Sequence, residues 1–445
     1  MNYNEAVKYI MDIPKFGAII DGRNKTGNDN LMLVMNKLGN PQNSCKSIHI
    51  AGTNGKGSTV QFIKNILNEK GYRVGTFTSP HLICINERIS IDYDITDDDF
   101  LEAFNFVKDA VDELVREGKP HLSFFEFIFA MATVYFEKEM PDYVIYETGL
   151  GGRLDATNIL KPVITVITSI GLDHVRYLGD NIKDIAFEKA GIIKERVPVI
   201  FNTGYREADA VINARAELLN SEAINVAKSE YIINDFTDKT IDFSLYNSYY
   251  KYDNLILPVS GAVYQVDNAM TAIVACNSLL GKDGWLEADT IMNAFSKFYW
   301  PGRMEQIHPN IIVDGAHNPD AINRFVECVK ANNSNDNVKL LFAVAGDKDY
   351  EPMIIKLCEE LDISEVYVTS LDSDRGISAE YIAALFKMYL TKSNNSRSCK
   401  IISDDDIRKN FTEGFKSAVA DNDILYCVGS LYLIGSIKEI AMEVF

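Results

Sequence analysis

No run of 18 consecutive apolar residues occurs in this chain, so no membrane-spanning helix is expected. Met1-Asn2-Tyr3-Asn4-Glu5 lacks a basic stretch leading into an apolar core, so no secretory signal is read there. Cysteine is sparse and unpatterned. Its seven residues (Cys45, Cys84, Cys276, Cys328, Cys358, Cys399 and Cys427) are odd in number and contain no C-x-x-C pair. That argues against a disulfide scaffold and for reduced thiols in a cytoplasmic protein. Positive charge is short too. Lysine and arginine number 44 against 63 acidic residues, a formal net charge of −19. A field of that sign repels nucleic acid and anionic membrane, so neither is expected as a partner. An anionic small molecule would need locally placed cations or a metal.

The chain is long enough, at 445 residues, for two domains. Apolar strands alternate with helical patterns: strands at 47–51, 74–78, 143–147, 164–169 and 198–201, helices at 58–70, 124–138 and 266–280. Thr96 caps a further helix, with Asp97, Asp98 and Asp99 in its first turn, where the helix dipole favours anions. Continuous apolar strands in such alternation predict a mostly parallel sheet covered on both faces. Residues 230–260 are polar and tyrosine-rich, with period-two alternation, and read as a small antiparallel β insertion. Proline and glycine at Tyr299-Trp300-Pro301-Gly302-Arg303 interrupt the pattern. A second α/β series follows, with strands at 311–314, 338–345, 365–369 and 424–428. The expected domains are 1–298 and 299–445. Only 393–398 is low in complexity.

The run Gly52-Thr53-Asn54-Gly55-Lys56-Gly57-Ser58-Thr59 lies between a strand and a helix. Glycines let backbone N–H groups close around an oxyanion, the helix start adds its dipole, and Lys56 adds a mobile charge for terminal phosphates. A tight turn alone does not need that lysine. The spacing departs from G-x-x-x-x-G-K-[ST], because Ile50 replaces the first glycine and Gly57 separates Lys56 from the hydroxyl. Glu147 ends an apolar strand and precedes Gly149, Gly151 and Gly152. A carboxylate there reaches the crevice of a parallel sheet, where a cation bridging phosphates would use it. His174, after Ser169-Ile170-Gly171-Leu172-Asp173, reads equally as metal ligand or acid/base. By composition Lys189 is a helix lysine on a solvated face. Arg303 serves either a phosphate or an interdomain ion pair, and Asp314 ends a strand of the second domain.

Together these motifs resemble folylpolyglutamate synthase/dihydrofolate synthase, a branch of the Mur ligase superfamily. The resemblance also covers Leu38-Gly39-Asn40-Pro41-Gln42, Thr78-Ser79-Pro80-His81-Leu82, Asn86-Glu87-Arg88-Ile89, Phe124-Phe125-Glu126 and Gly346-Asp347-Lys348-Asp349. They follow the family's order over nearly the whole chain. The resemblance implies an N-terminal P-loop ATPase domain with the β insertion and a C-terminal Rossmann-like domain that ligates glutamate. It implies ATP and two magnesium sites, with Ser79, Glu147 and His174 as ligands and Lys189 as a carbamylated lysine. Gly52, Thr53, Asn54, Gly55, Lys56, Gly57, Ser58, Asn268, Arg303 and Asp314 would hold ATP. Ser123, Phe124, Phe125, Glu126, Leu154, Asp155 and Ala156 would line the pterin pocket. His317 would stand near the γ-phosphate or the glutamate. One departure is visible: Gly27-Asn28-Asp29-Asn30 replaces the family's usual Gly-Leu-Glu-Arg in the N-terminal substrate loop, behind a polar stretch at 20–26.

The implied reaction activates a folate-type carboxylate as an acyl phosphate, which the amine of L-glutamate attacks. Lys56, Lys189, His174 and His317 are the catalytic candidates, with His317 or His174 as proton acceptor. Reduced folate or dihydropteroate, L-glutamate and ATP are the expected partners of a monomer. Three other readings compete: a peptidoglycan-type ligase, disfavoured by the short segment before the glycine loop; a P-loop kinase or ATPase without ligation; and a non-enzymatic nucleotide-binding switch, disfavoured by Asp314 and His317 in the second domain.

Overall fold

A computed structural model describes all residues except 15–27, 229, 238, 248–249, 260–261, 282–283, 333–336, 372–375, 393–398 and 445. The 20–26 stretch, Gly27 and the low-complexity segment 393–398 therefore lie outside the described residues.

The strands, in chain order, are β1 Lys46–Ala51, β2 Val74–Phe77, β3 Ile89–Ser90, β4 Tyr143–Glu147, β5 Ile164–Ile167, β6 Val199–Phe201 and β7 Ala223–Asn225. They form one sheet of order β3-β2-β4-β1-β5-β6-β7, parallel except at the β3 edge. The chain leaves β1 toward β2 on one side and leaves β5 toward β6 on the other. The crevice beyond β1 and β5 is thus the switch point where α/β sheets bind ligands. Ile50 pairs with Glu147 on one side and Val166 on the other, so register sets the glycine loop beside both neighbouring strand ends.

The central strands β1, β4 and β5 are buried on both faces, as their apolar runs require. One face packs the helices Lys56–Glu69, Tyr264–Leu280 and Ala288–Ser296, with Phe62, Ile66, Val266 and Phe295 all buried. The other packs Asp97–Arg116 and Phe124–Glu139. Thr96 caps the first of these by accepting from Asp99 N. Phe100, Phe104, Val107, Val111 and Leu114 face inward, whereas Val115 turns out to solvent. The β insertion is the antiparallel sheet β8 Glu230–Phe236, β9 Ile241–Tyr246 and β10 Lys251–Leu257, lying on Ala288–Ser296.

The second sheet holds β11 Glu305–His308, β12 Ile311–Asp314, β13 Val338–Phe342, β14 Ile363–Val368, β15 Lys400–Ser403 and β16 Leu425–Val428. Its order is β11-β12-β16-β13-β14-β15, with β11 the antiparallel edge.

Several sequence readings shift. The helix expected from 58 begins at Lys56, because Gly55 caps it at φ +83 and closes the turn two residues earlier. The strand expected to 345 ends at Phe342. Asp29 and Asn30 open a helix, Asp29–Lys37, rather than a loop, with Asn28 donating to the Asp155 carbonyl at 2.7 Å. No described helix is long and apolar enough to cross a membrane.

Candidate active site

The glycine loop occupies the switch-point crevice. Lys56 stands in the first turn of its helix and its ammonium folds back onto the carbonyls of Gly52 (3.1 Å) and Thr53 (3.2 Å). It also lies 3.8 Å from Glu147 Oε1. Glu147 is 3% exposed and accepts from Ser79 N at 3.1 Å. Burial pushes its carboxyl above the ordinary range, against the opposing pull of Lys56 and Arg303.

Gly57 explains the unusual spacing. A Cβ there would sit 2.3 Å from Trp300 Cζ2, so only glycine admits the indole against the loop. Ser58 Oγ is buried and accepts from Gln265 Nε2 at 3.2 Å. Asn268 donates to Gln265 Oε1 at 2.9 Å and presses on Gly55. A polar chain therefore braces the loop from the helix Tyr264–Leu280.

Lys189 is 3% exposed, not on a solvated face as composition implied, and donates to the Gly52 carbonyl at 2.8 Å. Burial first, then Lys56, lowers its amine from 10.5 to about 7.

The second domain closes the crevice. Lys348 donates to Asp173 Oδ1 at 2.8 Å and sits 3.2 Å from His174 Nε2. Asn318 meets Asn54 of the glycine loop (3.0 Å) and Asp173 (3.2 Å), and Asn54 donates to Asp320 at 2.9 Å. His317 Nε2 is 3.7 Å from Asp173, while its Nδ1 contacts the Gly315 carbonyl at 2.7 Å. That carbonyl accepts only, so Nδ1 carries the proton and Nε2 is the open base. Burial lowers both imidazoles, His174 to about 4 and His317 to about 3, so both are neutral at pH 7. Burial alone would raise Asp173, but Lys348, His174 and His317 hold it below the usual carboxylate range.

Arg303 lies in the fields of Asp314 and Glu147. Asp314 has both oxygens engaged, by Ala316 N, Met304 N and the Tyr264 hydroxyl, and so organises the turn after Arg303. The pocket residues also come together. Ser123 and Glu126 form a capping box at the start of Phe124–Glu139. Asp155 accepts from Leu150 N and from Thr157, and Ala156 is buried beside it. Leu154 follows Arg153, whose N–H donates to the Glu188 carbonyl. Phe125 fills the space over Gly149, and Gly152 lies against the Glu188 carbonyl. Those glycines admit packing rather than leave the crevice bare.

Sequence reasoning gave no role to Asp173, Lys348, Asn318 or Asp320. Lys348 follows the end of β13 by six residues, and the strand-end rule applied to Asp314 would have found it.

Residues 50–276 match the Mur ligase middle domain and residues 302–431 the Mur ligase glutamate ligase domain. The chain is 35% identical to the dihydrofolate synthase/folylpolyglutamate synthase of Bacillus subtilis, over 98% of each chain. A Mycobacterium tuberculosis folylpolyglutamate synthase complexed with ADP and AMPPCP superposes at TM-score 0.86, 25% identical and covering 99% of both chains. Escherichia coli FolC in complex with DHPP and ADP superposes at 0.83, 26% identical, over 100% of this chain and 98% of that one. The ordered motifs, the braced glycine loop and these matches agree: the chain belongs to the Mur ligase family, in its dihydrofolate synthase/folylpolyglutamate synthase branch.

Proposed function

We infer that this ATP-dependent ligase joins L-glutamate to a folate-type carboxylate through an acyl phosphate, and that one site serves both dihydropteroate and reduced folates. The observation that carries this reading is the facing of the Lys56 loop by His317 and Lys348 across Asp173. A phosphate-holding loop opposite a second domain's neutral base suits phosphorylation followed by amine attack. The family and the adenine nucleotides named in its relatives' structures support ATP use.

A carboxylate is a poor electrophile because its leaving group would be oxide. Phosphorylation supplies a better one. Loop amides and Lys56 would offset charge on the transferring phosphoryl group, as donors preorganised in a dry crevice do. His317 Nε2 would take the proton from the attacking amine. Its basicity is low, so positioning of the two reactants carries more of the rate than proton abstraction.

Magnesium usually keeps phosphate oxygens and waters and takes only one or two protein carboxylates. Among the described residues no three His, Cys, Asp or Glu side chains converge as a ligand set. Glu147, buried, with the Ser79 backbone on one oxygen, fits a magnesium site completed by nucleotide. That ion would polarise the terminal phosphate and bring the nucleotide to Glu147. His174 fits less directly, because the Lys348 ammonium holds its Nε2. Lys189, with an amine near neutrality, is suited to carbamylation, which would turn a buried cation into an anionic oxygen donor.

The test is ADP formation with Mg-ATP, L-glutamate, and dihydropteroate or tetrahydrofolate in parallel. Glutamate-dependent ADP with both acceptors is expected, and Lys56→Ala should abolish it. ADP release that ignores glutamate would refute ligation.

A further inference from the structure

Arg88 is a buried cation that finds no counter-ion among the described residues. It ends the short 3-10 turn Ile85–Arg88 and is 6% exposed. Its Nε donates to His81 Nδ1 at 2.8 Å, and the guanidinium lies over the Phe124 ring at 5.3 Å. Among the described residues it forms no ion pair, and its two terminal nitrogens donate to no described group. The nearby carboxylates are taken. Glu87 accepts from the backbone of Leu82, Ile83 and Cys84, and Glu147 from Ser79 N, with Lys56 at 3.8 Å.

An unpaired charge held in the interior is costly, and folds retain one where a ligand completes it. Guanidinium is suited to this, because its planar fork matches a carboxylate with two parallel hydrogen bonds. Burial lowers Arg88 only to about 10, so it is charged at neutral pH. Its position says which anion. Phe124 opens the helix of the candidate pterin pocket, and Arg88 lies in the fields of Glu147 at the end of β4 and of Tyr432 in the second domain. A carboxylate reaching from that pocket toward a phosphate held at the glycine loop would come within range of this guanidinium.

We propose that Arg88 binds the acceptor carboxylate, the group that becomes phosphorylated, through its two terminal nitrogens. Neutralising that carboxylate lowers its repulsion from the triphosphate. The proposal rests on the ligase reading above.

Dihydropteroate isolates the effect, because its only carboxylate is the acceptor. Arg88→Gln should raise the KM for dihydropteroate by about ten- to a hundredfold, the worth of a charged bidentate contact. The KM values for ATP and L-glutamate should stay within about twofold. Arg88→Lys keeps charge but loses the fork, and should recover part of the loss. Calorimetric binding of dihydropteroate without ATP should weaken in the same order. An ADP-induced rise in melting temperature matching that of the parent would show both variants folded. An unchanged dihydropteroate KM overturns the proposal, and so does a rise confined to L-glutamate. Loss of the ADP response in both variants would make Arg88 a structural residue. Absence of glutamate-dependent ADP in the unsubstituted protein is a separate result, which removes the ligase reading itself.

Discussion

Lys348 Nζ and Asp173 Oδ1 meet at 2.8 Å, joining the loop after β13 to the loop after β5 across the domain gap. Both side chains are largely buried, at 12% and 10% exposure. Such a pair contributes little against an apolar replacement, but losing one partner strands the other charge, at about 3–5 kcal/mol. The cost can be relieved by opening the gap, because the pair spans two units.

Lys348→Met is therefore expected to loosen the closed arrangement rather than unfold either sheet. Small-angle scattering should show a larger radius of gyration, and glutamate-dependent turnover should fall by about a hundredfold or more. The double variant Lys348→Met/Asp173→Asn should be more compact than the single one. A single variant as compact and active as the parent would remove the closure role.

Ser79→Ala should weaken magnesium dependence more than Ser58→Ala. Ser58 Oγ already accepts from Gln265, whereas Ser79 lies beside Glu147. Apparent activation constants for magnesium, measured on both variants, check this. Equal effects or the reverse order would mean that the loop's hydroxyl meets the metal.

Gly57→Ala should push Trp300 from the loop, since the new methyl would stand 2.3 Å from the indole. ATP affinity should fall by about tenfold or more, and adding Trp300→Leu should restore part of it through a non-additive coupling. Strict additivity across that cycle would mean that the clash is not the cause.

Lys189→Met should stabilise the protein most at low pH. The folded-state amine is lowered to about 7 from 10.5. Below pH 7 the folded chain carries the full cost of a buried ammonium. Between 7 and 10.5 the unfolded amine stays protonated while the folded one is neutral, so the cost shrinks as pH rises. With carbon dioxide excluded, the gain should approach roughly 4–5 kcal/mol at pH 6, less the lost bond to Gly52, and about 2 kcal/mol at pH 9. Urea midpoints at the two values decide it, and equal gains at both would contradict the assignment. Activity should be lost at either pH.

The elements legible from sequence were those whose local signals agree. Thr96 with three aspartates started a helix, unbroken apolar runs made buried strands, and glycines between strand and helix made a phosphate cradle. Glu147, Asp314 and His174 were found because they follow strand ends. Composition alone places Lys189 on a solvated face, and only the family resemblance singled it out. A lysine late in a helix carries no local mark of burial, and only the fold of 182–190 against the glycine loop seals it from water.

By itself the sequence determined the two α/β patterns, the crevice-facing motifs and the family, since these depend on periodicity and on short ordered runs. Tertiary structure alone decided that Asn54 meets Asn318 and Asp320, that Asp173 faces Lys348, that Trp300 needs Gly57, and that Arg88 is buried with no counter-ion among the described residues. Those relationships join residues up to 266 positions apart. No local pattern encodes such contacts. They arise from strand order and domain closure, which bring distant side chains together where water is excluded and each charge must find a partner.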